Sequence, residues 1–296
     1  MPHSAVKRIV KYVNVAIALA IAAGLAIVYW YGWRPLAVRS GSVTAPVAAG
    51  VRVEFDARGV PHIHAGSLDD ALFVQGYVTA QDRLFQMDSL RRASAGDLSE
   101  VFGPATLDAD RESRRYRSRR LAEAAYEKLL PADRAALAAY ARGVSEYIAT
   151  HLDRLPLEFT LLRYQPRPWS AVDCLLVALY MYRDLTSSWR DDLAKRAMLA
   201  AGDAAKVEFL FPAGAGFGPQ PGSNAWALAG GRTASGKPIL SADIHLAPSL
   251  PGIWYMTALE APGLDATGIS LPGLPGVIAG HNRRIAWSMK IGRAHV

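Results

Sequence analysis

Pro221-Gly222-Ser223-Asn224-Ala225-Trp226 stands where the texture of the chain changes. Residues 212–222, eleven in all, hold four glycines and three prolines. No regular element survives that density, so a linker or exposed loop is expected there. Beyond it, residues 224–228, 238–241, 253–259 and 265–269 read as strands divided by Gly and Pro turns. Before it the pattern is helical from about residue 200 back to Ser67-Leu68-Asp69-Asp70, which reads as a helix cap with acids in the first turn. Residues 81–94, 131–152 and 171–182 are the clearest helical stretches. Further back, residues 51–56 and 62–65 form two short strand patterns around the turn at Gly59. The expected class is α+β, a helical part followed by a stranded part, with no internal repeat.

Composition bounds the rest. Of 296 residues, 51% are hydrophobic and 20% charged, which is ample for a buried core and excludes a disordered or collagen-like chain. A single cysteine excludes a disulfide scaffold and any cysteine-based zinc cluster. Lys and Arg number 33 against 26 acids, a net +7, without the dense basic runs of a nucleic-acid arm, so no nucleic-acid partner is expected.

Residues 13–33 contain one polar side chain, Asn14, and 21 residues of helix rise about 31 Å, the thickness of the bilayer hydrocarbon. Lys7, Arg8 and Lys11 precede this run, while Arg34 and Arg39 follow it; the denser basic flank favours a cytoplasmic N-terminus and an exported body. The alternative is a cleaved secretory signal. Against it, the run exceeds the usual length of about 7–15 residues, and Tyr29-Trp30-Tyr31-Gly32-Trp33 occupies the place of a small-residue cleavage site. An uncleaved anchor in the inner membrane and a periplasmic body are the expectation.

Several motifs fail on inspection. Gly231 to Lys237 has the spacing of a phosphate loop, but Pro238 replaces the required Ser or Thr and a strand follows, so a hairpin turn is the better reading. Gly214-Ala215-Gly216-Phe217-Gly218 lacks the context of a dinucleotide loop. Neither a G-x-S-x-G elbow nor an H-E-x-x-H pair is present. Cys174 lies on an apolar helix face and reads as a buried, inert thiol.

Ser223 alone would be read as a turn serine ahead of a strand. The segments around it change that reading. Gly59-Val60-Pro61-His62-Ile63, residues 76–87 from Gly76-Tyr77 to Gln86-Met87, Arg91-Arg92 and Gly96-Asp97-Leu98-Ser99-Glu100 come first. Gly222-Ser223-Asn224-Ala225-Trp226 and residues 232–240 follow, then Asp243-Ile244-His245-Leu246, Pro272-Gly273-Leu274-Pro275-Gly276, Gly280-His281-Asn282 and Ile285-Ala286-Trp287. In this order and at these spacings the chain resembles the precursor of the penicillin acylase family of N-terminal-nucleophile hydrolases, from about Val51 to Ser288.

The resemblance implies an αββα sandwich of which only the start is present. It would be preceded by a mainly helical α-subunit and the N-terminal transmembrane helix. The corresponding divisions are residues 1–34, 35–211, a spacer at 212–222, and the start of a β-subunit at 223–290. It further implies autoproteolysis at Gly222–Ser223, an α/β heterodimer from one precursor, and Ser223 as nucleophile with its own free α-amine as base. His245 would bind or orient the scissile amide or the leaving amine, whereas His281-Asn282 reads as a structural turn. Met181 and Tyr182 are candidates for the acyl pocket, with core packing as the equal alternative. His62 and His64 carry no assignment. The implied substrates are small amides: β-lactam side-chain amides, acyl-homoserine lactones or related N-acyl amines. No cofactor is required. Family members commonly bind Ca2+, but Trp189 stands at the place of the usual glutamate, beside Asp191 and Asp192, which leaves that site undecided. The rival reading is a non-catalytic membrane-anchored envelope protein that keeps the fold.

The last six residues, Ile-Gly-Arg-Ala-His-Val, are what a common sequencing adapter encodes when translated in frame. Residues 291–296 are therefore expected to be an artefact, Lys290 is in doubt, and the chain is expected to be a truncated fragment. One oxyanion-hole amide implied by the family falls at about position 291 and its partner asparagine further downstream. The fragment by itself is therefore expected to be inactive.

Overall fold

The structure is a computed structural model, and it describes residues 3–186, 189–210 and 222–289. Helix α1, His3–Ile27, runs on through a wider turn at Val28–Trp33 and exposes its apolar side chains on every side. Strands β1, Arg52–Phe55, and β2, Pro61–His64, pair as an antiparallel hairpin. Helix α2, Leu68–Ala95, follows, then the short α3, Ser99–Phe102, with α4, Leu107–Arg115, and α5, Ser118–Lys128. The helical part continues with α6, Pro131–Thr150, α7, Leu157–Leu161, α8, Ala171–Leu185, α9, Trp189–Ala201, and α10, Ala204–Leu210. Strands β3, Gly222–Leu228, and β4, Ile239–His245, form a second hairpin. After them come β5, Tyr255–Ala261, β6, Leu264–Ser270, β7, Ala279–His281, and β8, Ala286–Trp287. The expected linker, apart from Gly222, and residues 290–296 lie outside the described residues.

Local chemistry sets the helix starts. The Ser67 hydroxyl accepts from the Asp70 amide at 3.1 Å, a cap worth about 1 kcal/mol. At α8, Ser170 and Asp173 form a reciprocal capping box. Helix α2 is the central element, packed on α6, α8 and the sheet. Its approach to α6 is backbone to backbone: a Cβ at Gly76 would lie 2.2 Å from the Tyr140 carbonyl oxygen, and one at Gly143 only 1.8 Å from that of Phe73. Glycine is the residue that permits this contact.

The separation into a helical and a stranded half does not hold in space. The larger sheet has the order β1-β2-β5-β6-β7-β8, and β2 pairs in parallel with β5, His62 opposite Ala258 and Ile63 opposite Leu259. Ile63 and Leu259 are both buried, and along β5 the inward residues Tyr255, Thr257 and Leu259 alternate with more exposed ones. The strands that precede the helices thus belong to the sheet that follows them. Local patterning shows that a segment is a strand but not which strand it joins. The helices cover the six-stranded sheet, while most of β3–β4 is exposed among the described residues.

Side-chain hydrogen bonds join the helices to the sheet and its loops. Gln75 donates to the Gly276 carbonyl at 3.0 Å and accepts from its amide at 2.9 Å. The Tyr140 hydroxyl accepts from the Gly273 amide at 3.0 Å. Asp82 accepts from the Tyr255 hydroxyl at 2.7 Å, and Arg83 and Gln86 both donate to the Gly252 carbonyl. Deeper in the helical layer, Asp88 and Arg91 are fully buried and ion-paired, with Arg92, Asp173 and Tyr164 around them.

Candidate active site

The β3–β4 hairpin carries the candidate nucleophile. Its connection contains the false phosphate loop: a tight turn at Gly230–Arg232 leads to Thr233, whose hydroxyl donates to the Lys237 carbonyl at 2.7 Å, and β4 starts at Ile239. This connection closes a hairpin and receives no helix. Its register places Gly222 opposite His245, Ser223 opposite Ile244 and Asn224 opposite Asp243.

Ser223 is the buried residue of an otherwise open strand, 6% exposed. Its hydroxyl donates to the Gly222 carbonyl at 2.6 Å, which brings the oxygen against the peptide that precedes it. The side-chain period of two puts Ser223 on the face of Ile244, Ala242 and Leu240. Those three line a mainly apolar cavity of about 410 Å³ whose other wall includes Trp254, Ile269 and Trp287.

By the same alternation His245 lies on the opposite face. Its Nε2 is 2.8 Å from Asp243 Oδ2 and 3.5 Å from the Asn224 amide nitrogen. His245 therefore stands beside the Gly222 backbone but forms no hydrogen bond with the Ser223 hydroxyl. The residues gathered round His245, Asn224 and Asp243, had no role in the sequence reading. Asp243 and His245 stand at i, i+2 just past the strand expected at 238–241, and that spacing was the available signal.

The two candidate pocket residues on α8 diverge. Met181 is buried in the main core cluster, against which Leu246 and Trp254 also pack. Tyr182, a helical step of about 100° away, is 67% exposed. Neither lines the cavity on the Ser223 side of the hairpin. Cys174 is fully buried and accepts from the Trp169 indole at 3.3 Å; burial pushes its thiol up to about 12, which suits an inert side chain. Asn282 accepts from the amides of Arg284 and Ile285, each at 2.8 Å, and so shapes the β7–β8 turn. His64 faces Glu260 at 3.0 Å and His62 lies 3.9 Å from Asp56, both on the sheet.

Among the described residues no three His, Cys, Asp or Glu side chains gather to hold a metal. Trp189 has no side-chain oxygen to offer, and the side chain of Asp191 lies outside the described residues.

A buried serine at the head of the β3–β4 hairpin, its hydroxyl on the preceding carbonyl, in a chain of mixed helices and sheet, defines the fold and the candidate site. The model of the penicillin amidase family matches residues 50–296, and the chain belongs to that family. Acyl-homoserine lactone acylase QuiP of Pseudomonas aeruginosa is 32% identical over 280 residues, 82% of this chain and 33% of that protein. Penicillin acylase 2 proenzyme of Pseudomonas sp. (strain SE83) is 31% identical over 289 residues, 84% of this chain and 37% of that protein. The solved thermostable penicillin G acylase from Alcaligenes faecalis overlaps 58% of this chain and 95% of its own, at 27% identity and a TM-score of 0.49. The chain spans about a third of the length of the curated relatives it matches.

Proposed function

We propose that this chain is part of an amide-hydrolysing acylase that is processed at Gly222–Ser223 and then uses Ser223 as its nucleophile. The observation that carries this reading is the hydrogen bond from the Ser223 hydroxyl to the Gly222 carbonyl, at 2.6 Å in a buried position. In processing, Oγ attacks the Gly222 carbonyl carbon, the Gly222–Ser223 C–N bond breaks, and the proton passes to the departing nitrogen. Water then hydrolyses the resulting ester, leaving a Gly222 carboxylate and a Ser223 with both free amine and hydroxyl.

That amine has an ordinary pKa of about 7.7–8.0, so a good part of it is neutral near physiological pH and takes the hydroxyl proton during turnover. The acyl group passes from the substrate amide to Ser223 Oγ and then to water, and the amine departs. His245, across from Gly222, acts on the backbone side, orienting the scissile amide or the leaving amine. The apolar cavity on the Ser223 face suits an acyl chain. By likeness to the relatives, the substrates are acyl-homoserine lactones or penicillin-type side-chain amides. Met181 supports the cavity at one remove, through the core against which its wall residue Trp254 packs, and Tyr182 does not reach it.

The Val6–Trp33 helix, whose most apolar 18-residue window has a mean hydropathy of 2.1 with none of it buried, anchors the product in the inner membrane with the body in the periplasm. Denaturing electrophoresis with N-terminal sequencing tests the reading on the complete polypeptide. Wild type should give two chains, the second starting at Ser223, and release amine from an N-acyl substrate. Ser223→Ala should stay as one inactive chain. An unprocessed wild type, or a second chain that starts elsewhere, overturns the assignment.

A further inference from the structure

Helix α1 meets the folded body through a contact that borders a cavity. Arg34 donates to the Asp153 carbonyl at 2.5 Å and pairs with the Asp153 carboxylate, while its guanidinium lies 4.3 Å over the Trp30 ring. Beside this contact lies a cavity of about 550 Å³. Trp30 and Tyr31 line it from the end of the apolar span, and Arg154, Phe159, Arg163 and Tyr164 line it from the body.

Two features define what would fit. The first is depth. Trp and Tyr at the end of a spanning helix sit at the headgroup level, so a cavity walled by Trp30 and Tyr31 opens there. The second is charge. Asp153 is engaged by Arg34. Arg154 directs an N–H at 2.8 Å to the His151 ring nitrogen, a neutral partner that leaves its charge uncompensated. Arg163 has no ion-pair partner among the described residues. Two cations on the wall of one aromatic-lined cavity match one phosphodiester joined to an apolar tail. A zwitterionic lipid would bring its own ammonium group up to the same two arginines.

We propose that this cavity binds one anionic phospholipid from the outer leaflet, its phosphate between Arg154 and Arg163 and its first carbons against Trp30, Tyr31 and Phe159. The proposal rests on the reading that α1 spans the membrane. Such a lipid would hold the body at a defined tilt over the bilayer.

The test uses the full chain in vesicles of phosphatidylcholine, alone or mixed with phosphatidylglycerol. Native mass spectrometry counts retained lipid, and alkaline carbonate extraction reports anchoring. Wild type should resist extraction, retain one phosphatidylglycerol and melt at higher temperature in the mixed vesicles. The double variant Arg154→Gln/Arg163→Gln should stay anchored and keep its circular dichroism but lose at least about tenfold in lipid affinity, about 1.4 kcal/mol. Retention unchanged by the double variant, or no preference for phosphatidylglycerol in an anchored protein, overturns the site and leaves the anchor standing. Extraction of wild type by carbonate overturns the anchor and the site together. Equal binding of soluble glycerophosphate would assign the arginines to a free phosphate and also defeat the proposal.

Discussion

Replacing Asp88 by alanine should be among the most destabilising single changes in the helical layer. The Asp88 carboxylate is fully buried and accepts four hydrogen bonds: from Arg91 Nε at 2.8 Å and Nη2 at 2.5 Å, from Arg92 Nε at 2.8 Å, and from the Tyr164 hydroxyl at 2.9 Å. Burial raises its pKa, but the Arg91 charge and the Arg92 hydrogen bond outweigh that and hold the carboxyl below its ordinary range. Without Asp88, Arg91 stays buried with Asp173 at 3.3 Å and two backbone carbonyls for company. Breaking a buried pair from one side removes about 3–5 kcal/mol. In a chain of this size that lowers Tm by roughly 6–20 °C. Urea and thermal unfolding followed by circular dichroism read the loss. A double-mutant cycle with Arg91→Met should show that Asp88→Ala is much less harmful once the arginine is gone. A loss below about 1 kcal/mol for the single variant, the size of an exposed pair, or additive effects in the cycle, would refute the view that these charges depend on one another.

Two further outcomes are expected. Gly143→Ala should destabilise by about 2–3 kcal/mol in urea unfolding, because its Cβ would meet the Phe73 carbonyl at 1.8 Å and backbone cannot give way; a gain of about 1 kcal/mol, as helix propensity alone dictates, would show that α2 and α6 do not touch there. Burial and the neighbouring Arg154 keep His151 below its ordinary 6.5. The unfolded chain therefore binds more protons, and stability present above pH of about 6.5 is lost as the pH falls towards the folded-state value. Thermal midpoints at pH 7.5 and 5.5 should diverge more in wild type than in His151→Gln, and equal divergence would dismiss the histidine as the cause.

Much of the local structure was legible beforehand. Ser67 caps α2, the helical stretch at 171–182 falls within α8, and the strand at residues 224–228 follows the glycine and proline run. Cys174 is buried as its apolar neighbours implied, and the loop ending at Lys237 turns a hairpin instead of cradling phosphate. The functional groups were less legible. Met181 and Tyr182 are adjacent in sequence yet one is enclosed and the other is in solvent. Side-chain direction on a helix depends on what packs against it, which the segment alone does not contain.

By itself the sequence determined the main helical stretches, several of the strands and turns, where an apolar span lies, and which serine follows the glycine-proline stretch. These follow from caps, periodicity and backbone limits, all of them interactions within a few residues. Tertiary structure alone decided that β2 joins β5 across nearly 200 residues, that Gly76 and Gly143 let two helices touch, and that Ser223 and His245 leave opposite faces of one hairpin. The reason is register: sliding a strand by one residue exchanges its faces without altering its local pattern, and only partners far along the chain choose between the two.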